Sequence, residues 1–201
     1  MNWTGIGTRG FLPQKTINRQ VAFGKAMASQ GRELWAGGAL QSDVNFLAGA
    51  LSFAPHSRIN NGRQHVVRSV GMERFSRPRG SFPRLHLCEE SDLKIAVDYY
   101  IENDILPESF FNKVDEITRA LHARNFYQVM ESVSVAKSEL VVYTSLEDRW
   151  GNIKGGTRTA VNVARNEGIP NFNIRTDAGW AALVDYVECS GILPKGLLCK
   201  E

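Results

Sequence analysis

The stretch YTSLEDRWGNIKGGTRTAVNVARNEGIPNFNI, Tyr143 to Ile174, decides how the chain is read. A strand-like run, Leu140 to Tyr143, leads into a loop carrying Lys154, Gly155, Gly156, Thr157 and Arg158. An apolar helical run over Thr157 to Arg165 follows, and a second strand-like run, Ile169 to Ile174, comes after Gly168. Strand, glycine loop, helix and strand in this order make one unit of a parallel sheet. Glycine lets backbone N–H groups approach an anion, and the helix N-terminus adds unpaired donors and a favourable dipole. The loop therefore suits a phosphate as well as a turn.

The same grammar recurs toward the N-terminus. Trp3 to Ile6 is a short apolar run ending in Gly7, Thr8 and Arg9, and Asn18 to Gln30 carries a helical face of Val21, Ala22, Ala26 and Met27. Glu33 to Ala36 is strand-like and breaks at Gly37, Gly38 and Ala39; Ser42 and Asp43 then cap a helix bearing Phe46, Leu47 and Leu51. Asp92 to Glu102 and Glu108 to Met130 return to helical spacing, with Phe110, Phe111, Val114, Ile117 and Leu121 as an apolar core stripe. Ala178 to Val187 is a last helix, and Leu193 to Glu201 a tail. The expected fold is α/β, a Rossmann-like parallel sheet with helices on both faces, formed by residues 1–201 as one domain. Ligands of such sheets bind beyond the carboxyl ends of the strands, and three loops meet that description: 7–9, 37–39 and 155–157.

Composition bounds the function. An apolar fraction of 43% and a charged fraction of 22% are ordinary for a folded soluble chain. Cys88, Cys189 and Cys199 are odd in number and lack metal or redox spacing, which points to reduced thiols in a cytoplasm and to no metal site. The start MNWTGIGTRG has no signal-peptide core and no window is apolar enough to span a bilayer, so no membrane partner is expected. The net charge of +3 is too mild to indicate nucleic acid by itself. The distribution is sharper: between His56 and His86 lie Arg58, Arg63, Arg68, Arg74, Arg77, Arg79 and Arg84 against Glu73 alone, with Phe75 and Phe82 interleaved. This Arg-rich segment reads as an insertion or flap at about 55–91, within which Val66 to Val70 and Arg84 to Leu87 have the character of short strands.

Taken in order, TGIGTR, WAGGALQSDVNFLAGAL, HARNFYQV and GGTRTAVNVARNEGIPNFNI resemble the SLOG superfamily, most closely its DprA-like branch (DNA-processing protein A) in the small form common in bacteriophage genomes. The likeness covers roughly Trp3 to Leu51 and Ile117 to Ile174 and leaves the Arg-rich middle unmatched. It implies a pocket for a nucleotide or a nucleotide-derived ligand. By the same resemblance, Gly7, Thr8 and Arg9 form the first anion loop and Gly37, Gly38 and Ala39 the second. Asp43 caps its helix or touches a ribose, and Arg124 and Asn125 lie at the pocket edge. Gly155, Gly156, Thr157 and Thr159 hold phosphate, with Thr144 and Lys154 beside them.

No residue is assigned a catalytic role and no cofactor is expected. The lonely-guy branch of the superfamily, which hydrolyses nucleoside monophosphates, places a glutamate just after the phosphate loop. Here no carboxylate follows Gly156 until Glu167. His56, His65, His86 and His122 read as surface or loop residues, and Glu147 and Asp148 as a solvated loop. The leading expectation is binding without turnover, in which a homo-oligomeric, phage-type protein in the host cytoplasm sequesters an immune signal such as a cyclic nucleotide or an ADP-ribose derivative. The alternative is single-stranded DNA handling, for which the arginines, Phe75, Phe82 and Trp150 supply charge and stacking surface; N-glycoside hydrolysis is the third reading.

Overall fold

The computed structural model describes residues 1–54, 57, 59–60, 63–69, 84–131, 136–153 and 155–198. Its frame is a six-stranded, all-parallel sheet in the order β4-β3-β2-β1-β5-β6. The strands are β1 (Asn2–Gly7), β2 (Glu33–Ala36), β3 (Gln64–Ser69), β4 (Arg84–Cys88), β5 (Leu140–Thr144) and β6 (Asn171–Asn173). The helices are α1 (Gln14–Ser29), α2 (Ser42–Ser52), α3 (Glu90–Glu102), α4 (Glu108–Phe111), α5 (Glu116–Met130), α6 (Thr157–Asn166) and α7 (Asp177–Cys189).

Parallel strands bury both faces, and each face here has its own apolar layer. On one side Trp3 packs edge-on against Phe23 of α1 and Phe46 of α2, with ring centroids 5.0 and 5.6 Å apart, and Trp180, Leu183 and Val184 of α7 complete the layer. A Cβ on Gly49 would run into the backbone carbonyl of Val21, so this glycine is what lets α2 lie directly on α1. On the other side Tyr100 of α3, Phe126 of α5 and Val161 and Val163 of α6 pack over Ile6, Val141 and Tyr143. The expected Rossmann-like sheet with helices on both faces is the observed one.

Several boundaries differ from the sequence reading for local reasons. Helix α1 begins at Gln14, four residues earlier than its apolar face, because Pro13 at φ −58° and ψ 145° starts it. The run expected as one helix over Glu108 to Met130 is two, since Asp115 accepts the Thr118 N–H at 2.7 Å and caps a new start. That restart changes the phase of the apolar stripe: Phe111 is buried, but Ile117 is 65% exposed and is not core. Within the expected insertion, Gln64–Ser69 and Arg84–Cys88 are paired strands of the sheet, in register from His65 with Arg84 to Ser69 with Cys88. His56, Arg58, Arg74, Phe75, Arg77, Arg79 and Phe82 lie outside the described residues, as do Lys154 and Cys199. Among the described residues no helix is long and apolar enough to cross a membrane.

The strand order positions the site. Strands β2 to β4 extend from one edge of β1, and β5 and β6 from the other, so the sheet reverses its winding between β1 and β5. Gly7 and Thr144 are register partners at the carboxyl end of that junction, where an open α/β sheet leaves a crevice.

Candidate functional site

A cavity of 410 Å³ opens at this reversal. Gly7, Thr8 and Arg9 line it from the end of β1, Ala39 from the end of β2, and Gly155, Gly156 and Thr157 from the start of α6. Arg124 and Asn125 enter from the middle of α5, both nearly fully buried. The structure thus brings nine of the residues singled out in the sequence to one space, although they come from four separate parts of the chain.

Four others stand behind the lining and hold it in shape. Asp43 is the second residue of α2, and its carboxylate turns back on the loops. Oδ2 accepts the N–H groups of Gly37 at 2.9 Å and Ala39 at 3.4 Å, and Oδ1 accepts that of Gly7 at 3.2 Å. The N-cap itself is Gln41, which offers no capping side chain, so Asp43 ties two loops together instead of capping its helix. Burial pushes this carboxyl above the usual range, against the opposing pull of Arg124 and the three N–H donors. Gly37 is confined on all sides: a Cβ there would lie 2.8 Å from both the Asp43 carboxylate and the Arg124 Nε, and closer still to the Gln128 amide. Thr144 is fully buried; its hydroxyl lies 2.5 Å from that of Ser42 and accepts from the Gln20 amide at 3.0 Å, and its carbonyl accepts the Thr8 N–H at 2.9 Å. Thr159 is buried too, donating to the Gly156 carbonyl at 2.7 Å. Gly38, at φ +67°, makes the turn between them and is outside the lining.

The glycine loop before α6 has a specific backbone shape. Gly155 is left-handed at φ +75° and Gly156 right-handed at φ −64° and ψ −26°. Alternation of this kind turns successive N–H groups toward one point and makes a concavity suited to an anion, here at the first turn of α6. Asn125 fixes it from behind, donating to the Gly156 carbonyl at 2.8 Å and accepting from Arg124 at 3.2 Å.

The charge balance of the cavity is one-sided. Arg124 feels burial, which lowers its pKa, the attraction of Asp43, which raises it, and the repulsion of Arg9, which lowers it. Among the described lining residues the titratable side chains are Arg9, Arg124 and His122. His122 was expected on the surface; it instead sits within α5, its Nδ1 3.3 Å from the Thr159 hydroxyl and its ring edge-on to Phe110 at 5.1 Å. Burial, then Arg158 and Arg124, lower its pKa to about 4, so the ring is neutral at pH 7. Thr118, Leu121, His122 and Asn125 form one face of α5 turned to the cavity. Of these, Leu121 was expected in the core stripe and Asn125 at the pocket edge; the i, i+3, i+4, i+7 spacing that joins them was legible in the sequence.

The other described histidines, His65 and His86, and the two loop carboxylates serve structure. His65 Nδ1 lies 2.9 Å from His86 Nε2, and His65 stacks on Trp35 at 4.3 Å. Glu147 accepts from the Tyr143 hydroxyl at 3.0 Å and from the Asn173 amide at 2.9 Å, while Asp148 accepts the N–H groups of Trp150 and Asn152, each at 2.9 Å. Comparison with family models, curated proteins and solved structures finds no match for this chain.

Proposed function

We propose that this chain is a SLOG-type protein that binds a nucleotide-derived ligand and releases it unchanged. The observation that carries the reading is the convergence of Arg9, Arg124 and the Gly155 and Gly156 concavity on one cavity whose described lining holds no carboxylate. Arg9, exposed at the cavity, adds positive potential beside the buried Arg124, whose charge Asp43 offsets in part; an anion is drawn to such a place, and the N–H groups supply the directed bonds a phosphate takes. The uncharged part of the lining, Ile6, Ala39, Leu121 and a neutral His122, suits a ribose or base. A volume of 410 Å³ lies within the range of small-ligand sites.

Turnover by glycosidic cleavage needs an acid or base within hydrogen-bond reach of the scissile bond. Glu147 is held by Tyr143 of β5 and Asn173 of β6, Asp148 by its own loop, and Asp43 by three N–H groups behind the lining. In a bacteriophage setting, a protein of this kind acts as a homo-oligomeric sponge for a host immune nucleotide.

Calorimetric titration with cyclic dinucleotides and ADP-ribose derivatives at two salt concentrations tests the reading. Saturable binding that weakens only a few fold between about 50 and 200 mM salt supports a small-ligand cavity. No binding by any of them, with single-stranded DNA binding that collapses by roughly a thousandfold over that range, overturns it in favour of DNA handling.

A further inference from the structure

A chain of hydrogen bonds at the cavity wall settles which nitrogen of His122 carries its hydrogen. The Arg124 guanidinium donates to the Asn125 Oδ1 at 3.2 Å and has no acceptor of its own, which leaves the Asn125 Nδ2 turned to α6. From there Nδ2 donates to the Gly156 carbonyl at 2.8 Å and toward the Thr159 hydroxyl oxygen at 3.4 Å. That hydroxyl has a single proton, which goes to the same Gly156 carbonyl at 2.7 Å. All that Thr159 has left for the His122 Nδ1, 3.3 Å away, is a lone pair, so Nδ1 is the donor and carries the ring hydrogen. Burial keeps the ring from taking a second proton at pH 7. Nε2 is therefore a bare acceptor. It has no partner among the described residues and is not sealed from solvent, and the space that His122 lines is the cavity. The ring is also held in place: the Tyr100 hydroxyl donates to the His122 carbonyl at 2.7 Å, and Phe110 stands edge-on at 5.1 Å.

We propose that His122 is the residue that selects the ligand of this cavity, accepting one hydrogen bond at Nε2 from an N–H or O–H donor, either an amino group of the base or a hydroxyl of the ribose. This rests on the anion-cavity reading above and narrows it. A bare imidazole nitrogen repels phosphate and carbonyl oxygens, which at neutral pH have lone pairs and no hydrogen to offer. The two ends of the ligand are thereby told apart. Arg9 and the N–H groups of the glycine loop take the anion, and His122 takes the donor. A site built on such a bond discriminates strongly, because a group of the wrong sense leaves both partners unpaired away from water.

The test uses the purified full chain and four probes: adenosine 5′-monophosphate, its 2′-deoxy and 3′-deoxy analogues, and purine riboside 5′-monophosphate, which lacks the amino group. The variant His122→Phe keeps a flat ring against Phe110 and removes the acceptor, and His122→Gln restores one as a carbonyl oxygen; circular dichroism and thermal melting check that both fold. Before any ligand is added, nitrogen-15 imidazole spectra at pH 7, with the His122 signals identified by their loss in either variant, are expected to show hydrogen on Nδ1 and none on Nε2. Adenosine 5′-monophosphate is expected to bind about 5- to 100-fold more weakly to His122→Phe than to the wild type, the range for leaving one donor unpaired, and to recover in part with His122→Gln. One analogue loses the same factor on the wild type and nothing further in His122→Phe: the purine riboside if the donor is the base amino group, a deoxy analogue if it is a ribose hydroxyl. Hydrogen on Nε2, unchanged affinity in His122→Phe, or an equal loss there for all four probes overturns the inference and leaves the cavity reading intact. Absence of binding by adenosine 5′-monophosphate overturns it too, and the cavity reading falls with it only when cyclic dinucleotides and ADP-ribose derivatives also fail to bind.

Discussion

Asp43 accepts the Gly7 N–H at 3.2 Å across 36 residues of sequence, and with its other oxygen takes the Gly37 N–H at 2.9 Å. One buried carboxylate thereby fixes the ends of β1 and β2 against each other and places a negative charge behind Arg124. Replacing it with alanine strands those donors and leaves Arg124 buried without its counter-charge. A loss of about 3–5 kcal/mol in urea unfolding is expected. Asp43→Asn, which keeps one acceptor, is expected to fall between the two. A loss under 0.5 kcal/mol would show that the loops hold their shape without the clamp.

Gly156→Glu places a carboxylate in the anion concavity. The residue has ordinary right-handed angles, and a Cβ there would lie 3.2 Å from the Asn125 amide, so the backbone tolerates a side chain with a small adjustment. The melting temperature is expected to stay within a few degrees of wild type while the ligand-induced rise disappears. A retained rise would remove this loop from the site.

Acid should weaken the fold through two rings. His65 and His122 both have pKa values lowered to about 4, chiefly by burial, from an ordinary value near 6.5. Between those values the unfolded chain binds more protons than the folded one, so stability rises with pH across that window and is lost as pH falls through it. The slope is at most about 1.4 kcal/mol per pH unit for each ring, and less for the half-buried His122, which water partly screens. His122→Gln is expected to flatten part of the slope between pH 6.5 and 4 in denaturant titrations. An unchanged slope would mean that the ring is charged already or free to leave its place.

The sequence carried the fold wherever an element made its own signal. Val66 and Val67 identified a strand even inside an Arg-rich segment, and Leu140 to Tyr143 marked β5 nearly to the residue. Glycine loops after strands pointed to the crevice because a close backbone approach demands glycine irrespective of tertiary context. What was not legible was which way a polar side chain turns. Asp43 and Thr144 have the residue types of ligand contacts, but both are spent on backbone and hydroxyl partners brought near by other elements. Ile117 and His122 failed for the opposite reason: the Asp115 cap restarts the helix, which exposes the isoleucine and turns the histidine into the cavity.

The cavity is proposed to bind a nucleotide without altering it. The most direct measurement is to saturate the purified protein with cyclic and linear oligonucleotides and ADP-ribose derivatives, follow thermal stability, then denature it and identify the released ligand by mass spectrometry. At least one of them is expected to raise the melting temperature by mass action and to be recovered with its mass unchanged. Recovery of a free base or a shortened nucleotide, or no stabilisation by any of them, would contradict it.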